Sequence, residues 1–156
     1  MSKYKVLVVG VGNMGSAHAK AYNDIEEFEL VGLVARTNKR RSPLSKSLGG
    51  IREFDDFEKA LNECKPDVVS INTYTESHKE YAIKSLNQGA HIFIEKPLAE
   101  TVEDALEIID LAREKNRKII VGYILRYNPA WKKFIELSHT LGSPLVMRMN
   151  LNQQSS

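Results

Sequence analysis

The chain has one cysteine, one tryptophan and a net charge of only +2. Cys64 makes no internal disulfide and has no CxxC neighbour, so neither a disulfide scaffold nor a thiolate metal site is encoded. Its place just before Lys65-Pro66, where a helix should stop, suits a packing residue. Near-zero charge gives no general attraction to nucleic acid or to a membrane surface. No apolar run approaches the length of a bilayer span, and the run after Lys3 and Lys5 is too short for a signal-peptide core. His18, His91 and His139 have no ligand-type spacing with one another or with acids, so no metal is expected. No nucleophile–base pair of the triad kind can be read either. What remains is ordinary globular composition, 42% apolar and 27% charged over 156 residues, with a cytoplasmic location expected.

The informative stretch is the first fifteen residues. Lys5 to Val9 is a short apolar, β-branched run, and Gly10-Val11-Gly12-Asn13-Met14-Gly15 follows it without a gap. Ser16 to Ala21 is then small and helix-tolerant. A buried strand, a tight glycine turn and a helix start form the arrangement that cradles the pyrophosphate of a dinucleotide. A glycine-rich βα turn with no dinucleotide is the blander reading, and the flanking strand and helix patterns weigh against it.

Phe28 to Ala35 reads as a second strand, followed by Arg36-Thr37-Asn38-Lys39-Arg40-Arg41. Dinucleotide folds place an acid at the end of this strand to hold the ribose 2′-hydroxyl of NAD. Arg36 stands there instead. A guanidinium can bind a 2′-phosphate that an acid would repel, so NADP is expected in preference to NAD. Lys39 to Arg41 alone could be a solvated charge run.

Further along, a helix is expected over Pro43–Leu48 and a strand over Ile51–Phe54. Asp55 or Asp56 should cap a helix over Phe57–Glu63, and Asp67–Asn72 is a strand fit for burial on both faces. A loop, Thr73 to His78, leads to a helix over Lys79–Asn87, and Ala90–Ile94 is the fifth strand. Thr101 should cap the next helix, Lys118–Tyr123 is the sixth strand, and Asn128-Pro129 opens a last helix that stops at Gly142. Strands alternating with helices predict an α/β fold, a doubly wound and mainly parallel sheet. From Leu145 the apolar and polar residues alternate like an extra C-terminal strand with no partner. Trp131, at helical spacing with Phe134 and Ile135, reads as core.

Ligands of such sheets sit beyond the carboxyl ends of the strands. There Glu95-Lys96-Pro97 offers a lysine that could donate a proton to a substrate oxygen, or merely a salt-bridged loop. Arg126-Tyr127 beside Asn128 could bind an anion or pack on a cofactor, with structural capping by Asn128 equally consistent. His78 suits capping or packing as well as contact with a ligand.

Taken in order, GVGNMG from Gly10, Thr73 with His78 five residues on, EKPLA from Glu95 and GYILRYNPAW from Gly122 resemble the glucose–fructose oxidoreductase / inositol dehydrogenase family (Gfo/Idh/MocA). The resemblance implies a Rossmann domain on NADP or NAD and a hydride transfer at a hydroxyl-bearing carbon of a sugar or polyol. It implies Lys96 as the catalytic lysine with Glu95 orienting it, and a candidate cis Lys96–Pro97 peptide. Gly10, Gly12, Asn13 and Met14 would line the pyrophosphate, and Arg36, Thr37 and Arg41 the adenosine end. Thr73, His78, Glu95, Lys96 and Arg126 would lie toward the nicotinamide. Tyr74 departs from the proline common after the threonine.

Family members are longer and carry a second, α+β domain with much of the substrate site. Residues 1–142 are therefore expected to be the NAD(P)-binding Rossmann domain and 143–156 the start of a truncated second domain, leaving the isolated chain inactive. Two alternatives remain. One is a non-catalytic NADP-binding regulatory module; the other adds self-association, a homodimer through the strand beginning at Leu145.

Overall fold

The computed structural model describes residues 2–144, 146 and 148. Cα packing divides the chain into one unit running through Gly122 and a second from Tyr123. The first unit contains β1 (Tyr4–Val9), α1 (Asn13–Asp24), β2 (Phe28–Val34), α2 (Asn38–Ser47), β3 (Glu53–Phe54) and α3 (Phe57–Cys64). It continues with β4 (Val68–Ile71), a 3₁₀ turn over Thr75–Ser77, α4 (His78–Asn87), β5 (His91–Ile94), α5 (Val102–Glu114) and β6 (Ile119–Val121). The strands form one sheet in the order β3-β2-β1-β4-β5-β6, and every pairing is parallel. The doubly wound α/β fold is therefore present.

Burial on both faces explains the apolar runs. In β1, Val6 and Val8 pack with Ala19 of α1 and Leu44 of α2, whereas Leu7 and Val9 pack with residues of α3, α4 and α5. All four are at most 2% exposed, so neither face of this strand meets water. The strand order reverses between β1 and β4, which opens a crevice at their carboxyl ends.

Asp56, not Asp55, caps α3, its carboxylate accepting the Lys59 N–H at 2.7 Å. Thr101 caps α5 through the Asp104 N–H at 3.1 Å, as expected. The helix expected from Pro43 begins at Asn38 instead, and Pro43 lies inside it. The strand expected over Ile51–Phe54 shortens to two residues at the sheet edge.

In the second unit a 3₁₀ turn over Ile124–Tyr127 leads to α6 (Pro129–Ser138). Asn128 caps α6 by accepting the N–H groups of Ala130 and Trp131, with Pro129 at the first position. Trp131 and Phe134 meet edge to face at 6.0 Å, yet α6 has no buried residue, so the core role expected of Trp131 and its neighbours is not met. Among the described residues of this unit α6 is the one α-helix, and they supply no second layer to cover that face. The strand expected from Leu145, and the dimer built on it, lie outside the described residues.

Candidate functional site

The three glycines of the loop after β1 do three different things. Gly10 has φ +83°, and a Cβ there would sit 2.5 Å from the Asn72 carbonyl oxygen, so only glycine makes the turn. At Gly15 a Cβ would lie 1.8 Å from the Gly10 carbonyl oxygen, so the absence of a side chain lets α1 close on the strand. At Gly12 a Cβ would meet nothing within 4 Å. Packing does not require a glycine there, and the space in front of it is open. Gly12 is also the N-cap of α1 and brings no side chain to the first-turn N–H groups, which remain available to an anion.

That open space belongs to a cavity of about 610 Å³ over the carboxyl ends of β1, β2 and β4. Gly10, Gly12, Asn13 and Met14 line one side of it, Arg36 and Thr37 the β2 end, and Thr73 the β4 end. Eight residues expected to bind cofactor from the glycine loop to β4 were thus Gly10, Gly12, Asn13, Met14, Arg36, Thr37, Arg41 and Thr73, and the cavity gathers all but Arg41. Asn72 supplies part of the wall, and its amide donates to the Ser70 carbonyl and hydroxyl, both at 3.0 Å. Its Oδ1 is buried without a protein donor among the described residues.

Arg41 is engaged elsewhere. Its guanidinium holds Glu53 at 3.1 Å, the Phe54 carbonyl at 2.8 Å and the Ala35 carbonyl, tying β2 to β3. The Ser42 hydroxyl, with Arg41 behind it, keeps the Glu53 carboxyl below its ordinary value. Arg40, which the sequence did not single out, lines the cavity and donates to Asn13 Oδ1 at 3.0 Å. Because α2 starts at Asn38, successive residues of its first turn point about 100° apart, so adjacent arginines part company. Asp55, after β3, also lines the cavity.

Glu95 and Lys96 follow β5, one strand beyond β4. The Glu95 carboxylate is 8% exposed; it accepts the Lys96 N–H at 3.3 Å and pairs with His18 Nε2 at 3.0 Å. The Lys96 side chain is exposed, and the Lys96–Pro97 peptide is cis. His78 is 1% exposed, with Nδ1 2.9 Å from the Pro97 carbonyl and Nε2 3.2 Å from the Thr73 carbonyl. Its ring therefore sits between the Thr73 loop, at the cavity edge, and the Lys96 loop, and as a neutral imidazole it donates to one of the two carbonyls. Thr73 is further fixed by the Ser77 hydroxyl, which donates to its Oγ1 at 2.8 Å. Arg126 belongs to the second unit, its guanidinium 5.1 Å above the Tyr123 ring.

A family model described as an oxidoreductase family with an NAD-binding Rossmann fold matches residues 4–123. The chain belongs to the Gfo/Idh/MocA oxidoreductase family. Among its curated relatives, a 4-carboxy-2-hydroxymuconate-6-semialdehyde dehydrogenase of a Sphingobium species is 26% identical over 94% of the chain and 46% of its own length. The inositol 2-dehydrogenase of Salmonella typhimurium is 27% identical over 92% of the chain and 44% of its own. The chain thus spans less than half the length of these relatives. A scyllo-inositol dehydrogenase from Lactobacillus casei, solved with NAD(H) and scyllo-inositol, shares the fold with a TM-score of 0.81 at 24% identity, over 89% of this chain and 42% of that one. Membership of this family supports a nicotinamide cofactor. No helix among the described residues is long and apolar enough to cross a membrane.

Proposed function

We propose that the chain is the cofactor half of an NADP-preferring dehydrogenase acting on a sugar, a polyol or a related hydroxylated small molecule. The observation that carries the cofactor preference is Arg36, lining the cavity directly beyond β2. A cation there suits the 2′-phosphate, with Thr37 beside it at the adenosine ribose. The pyrophosphate would lie on Gly10, Gly12, Asn13 and Met14, with its charge toward the open end of α1. Bound nicotinamide would give or take the hydride at a carbinol carbon.

The protein's own part in the chemistry falls to the Lys96 loop. The Lys96 ammonium would hold and move the proton at the substrate oxygen, while Glu95, through the Lys96 N–H, fixes the backbone that carries it. Thr73 and His78 would set the nicotinamide side, His78 by packing between the Thr73 and Pro97 carbonyls. The substrate class rests on relatives named for inositol and semialdehyde substrates.

Arg36→Asp tests the preference. Loss of a charge-assisted contact to phosphate should weaken NADPH about 10- to 100-fold and improve NADH. Unchanged NADPH affinity in Arg36→Asp would refute the assignment. A screen of hydroxylated substrates against this chain joined to the remaining domain of a full-length relative tests the reaction. Cofactor binding without any turnover there would favour a regulatory module.

A further inference from the structure

Glu95 is the most buried acid of the first unit's strand ends, and a carboxylate offers only acceptors. Withdrawn from water, each oxygen needs a donor. One oxygen takes the Lys96 backbone N–H; the other takes His18 Nε2, 77 residues away in sequence. Around this pair the fit is close. The His18 ring lies against Phe93, centroids 4.7 Å apart, and Phe93 is on β5, two residues before Glu95. On the other side Gly122 leaves just enough room, since a Cβ there would approach the Glu95 carboxyl carbon to 3.1 Å. His18 itself rides on α1, three residues past Gly15, within about one turn of the glycine loop.

We infer that His18 is a positioning residue that couples the cofactor loop to Lys96: through Glu95 it fixes the backbone N–H of the lysine, so that occupancy of the glycine loop and placement of Lys96 change together. The coupling needs Nε2 of His18 to carry a proton, whatever the charge of the ring. Without that donor one Glu95 oxygen is left bare in an 8%-exposed site, and the carboxylate turns toward water, releasing the Lys96 N–H. The proposal rests on the dinucleotide reading of the loop for its coupling, but not for the link between His18, Glu95 and Lys96.

Amide hydrogen exchange of the 156-residue chain tests both parts. His18→Leu, which keeps bulk against Phe93 without a donor, should speed exchange at the Lys96 amide about tenfold or more. The Ile94 amide, inside the sheet, should exchange as in the wild type. His18→Gln, which restores an N–H donor, should return Lys96 to slow exchange. NADPH should slow the Lys96 amide in the wild type and in His18→Gln but not in His18→Leu. Slow Lys96 exchange in a folded His18→Leu protein overturns the link; equal acceleration across β5 shows a merely structural role and also overturns it. A dependence on His18 with no NADPH binding by any variant overturns the dinucleotide reading and the coupling while leaving the link standing. Should His18→Leu not fold, the ¹⁵N spectrum of the wild-type imidazole decides: a protected Nε2–H is expected, and a ring protonated on Nδ1 alone refutes the inference.

Discussion

Gly12→Ala separates binding from folding. Gly12 has φ −66° and ψ −165°, extended backbone that alanine adopts without strain, and the added methyl meets no atom within 4 Å. Reduced freedom of the unfolded chain favours the variant by about 0.4–1 kcal/mol, and alanine's poorer capping opposes it by a similar amount. Stability should therefore stay within about 0.5 kcal/mol of the wild type. Affinity should not. The methyl takes the space where a phosphate would approach the first-turn N–H groups, and losing two charge-assisted hydrogen bonds costs about 3 kcal/mol at the low end. That is roughly a 100-fold rise in the dissociation constant. Gly15→Ala should behave in the opposite way: its Cβ would fall 1.8 Å from the Gly10 carbonyl oxygen, a backbone atom that cannot swing aside. A loss of about 3 kcal/mol or more is expected from such overpacking. Thermal melts and NADPH fluorescence titrations of both variants provide the readout. Wild-type affinity in Gly12→Ala would refute the seat assigned to the pyrophosphate, and wild-type stability in Gly15→Ala would refute the packing role.

Arg41→Met should lower stability by about 1–3 kcal/mol, because the carbonyls of Ala35 and Phe54 and the Glu53 carboxylate lose a shared donor. Its NADPH affinity should change far less than that of Arg36→Asp, and a collapse of affinity at full stability would contradict this division of labour. Burial, with Arg117 and Lys118 nearby, holds the His91 imidazole below its ordinary value, so the folded state resists its protonation. The stabilisation is therefore complete above the unfolded value, about 6.5, and is lost as pH falls through the lower folded value. Protonation also removes the His91 Nδ1 acceptor of the Lys118 N–H. Melting temperature should fall from pH 7 to pH 5 more steeply in the wild type than in His91→Asn; equal slopes would exclude His91 as the cause.

Much of this was legible in the chain. The glycine loop, the apolar runs of β1 and β4 and the caps at Thr101 and Asn128 are local signals, each written in a few adjacent residues. So was Arg36, whose place follows from the end of a strand. The start of α2 was hidden because Pro43 resembles a first helical residue but lies inside the helix. That shift decides which arginine faces the cavity, and no spacing rule separated Arg40 from Arg41. The links made by His18 and His78 were invisible for another reason. Their partners, Glu95 and the Pro97 carbonyl, are far away in sequence and meet them only once the sheet is assembled.

The most direct measurement is a titration of the 156-residue chain with NADPH and NADH, followed by nicotinamide fluorescence. Saturable binding of both is expected, with NADPH the tighter. Absence of binding, or tighter binding of NADH, would contradict the central claim that Gly10 to Gly15 and Arg36 form an NADP site.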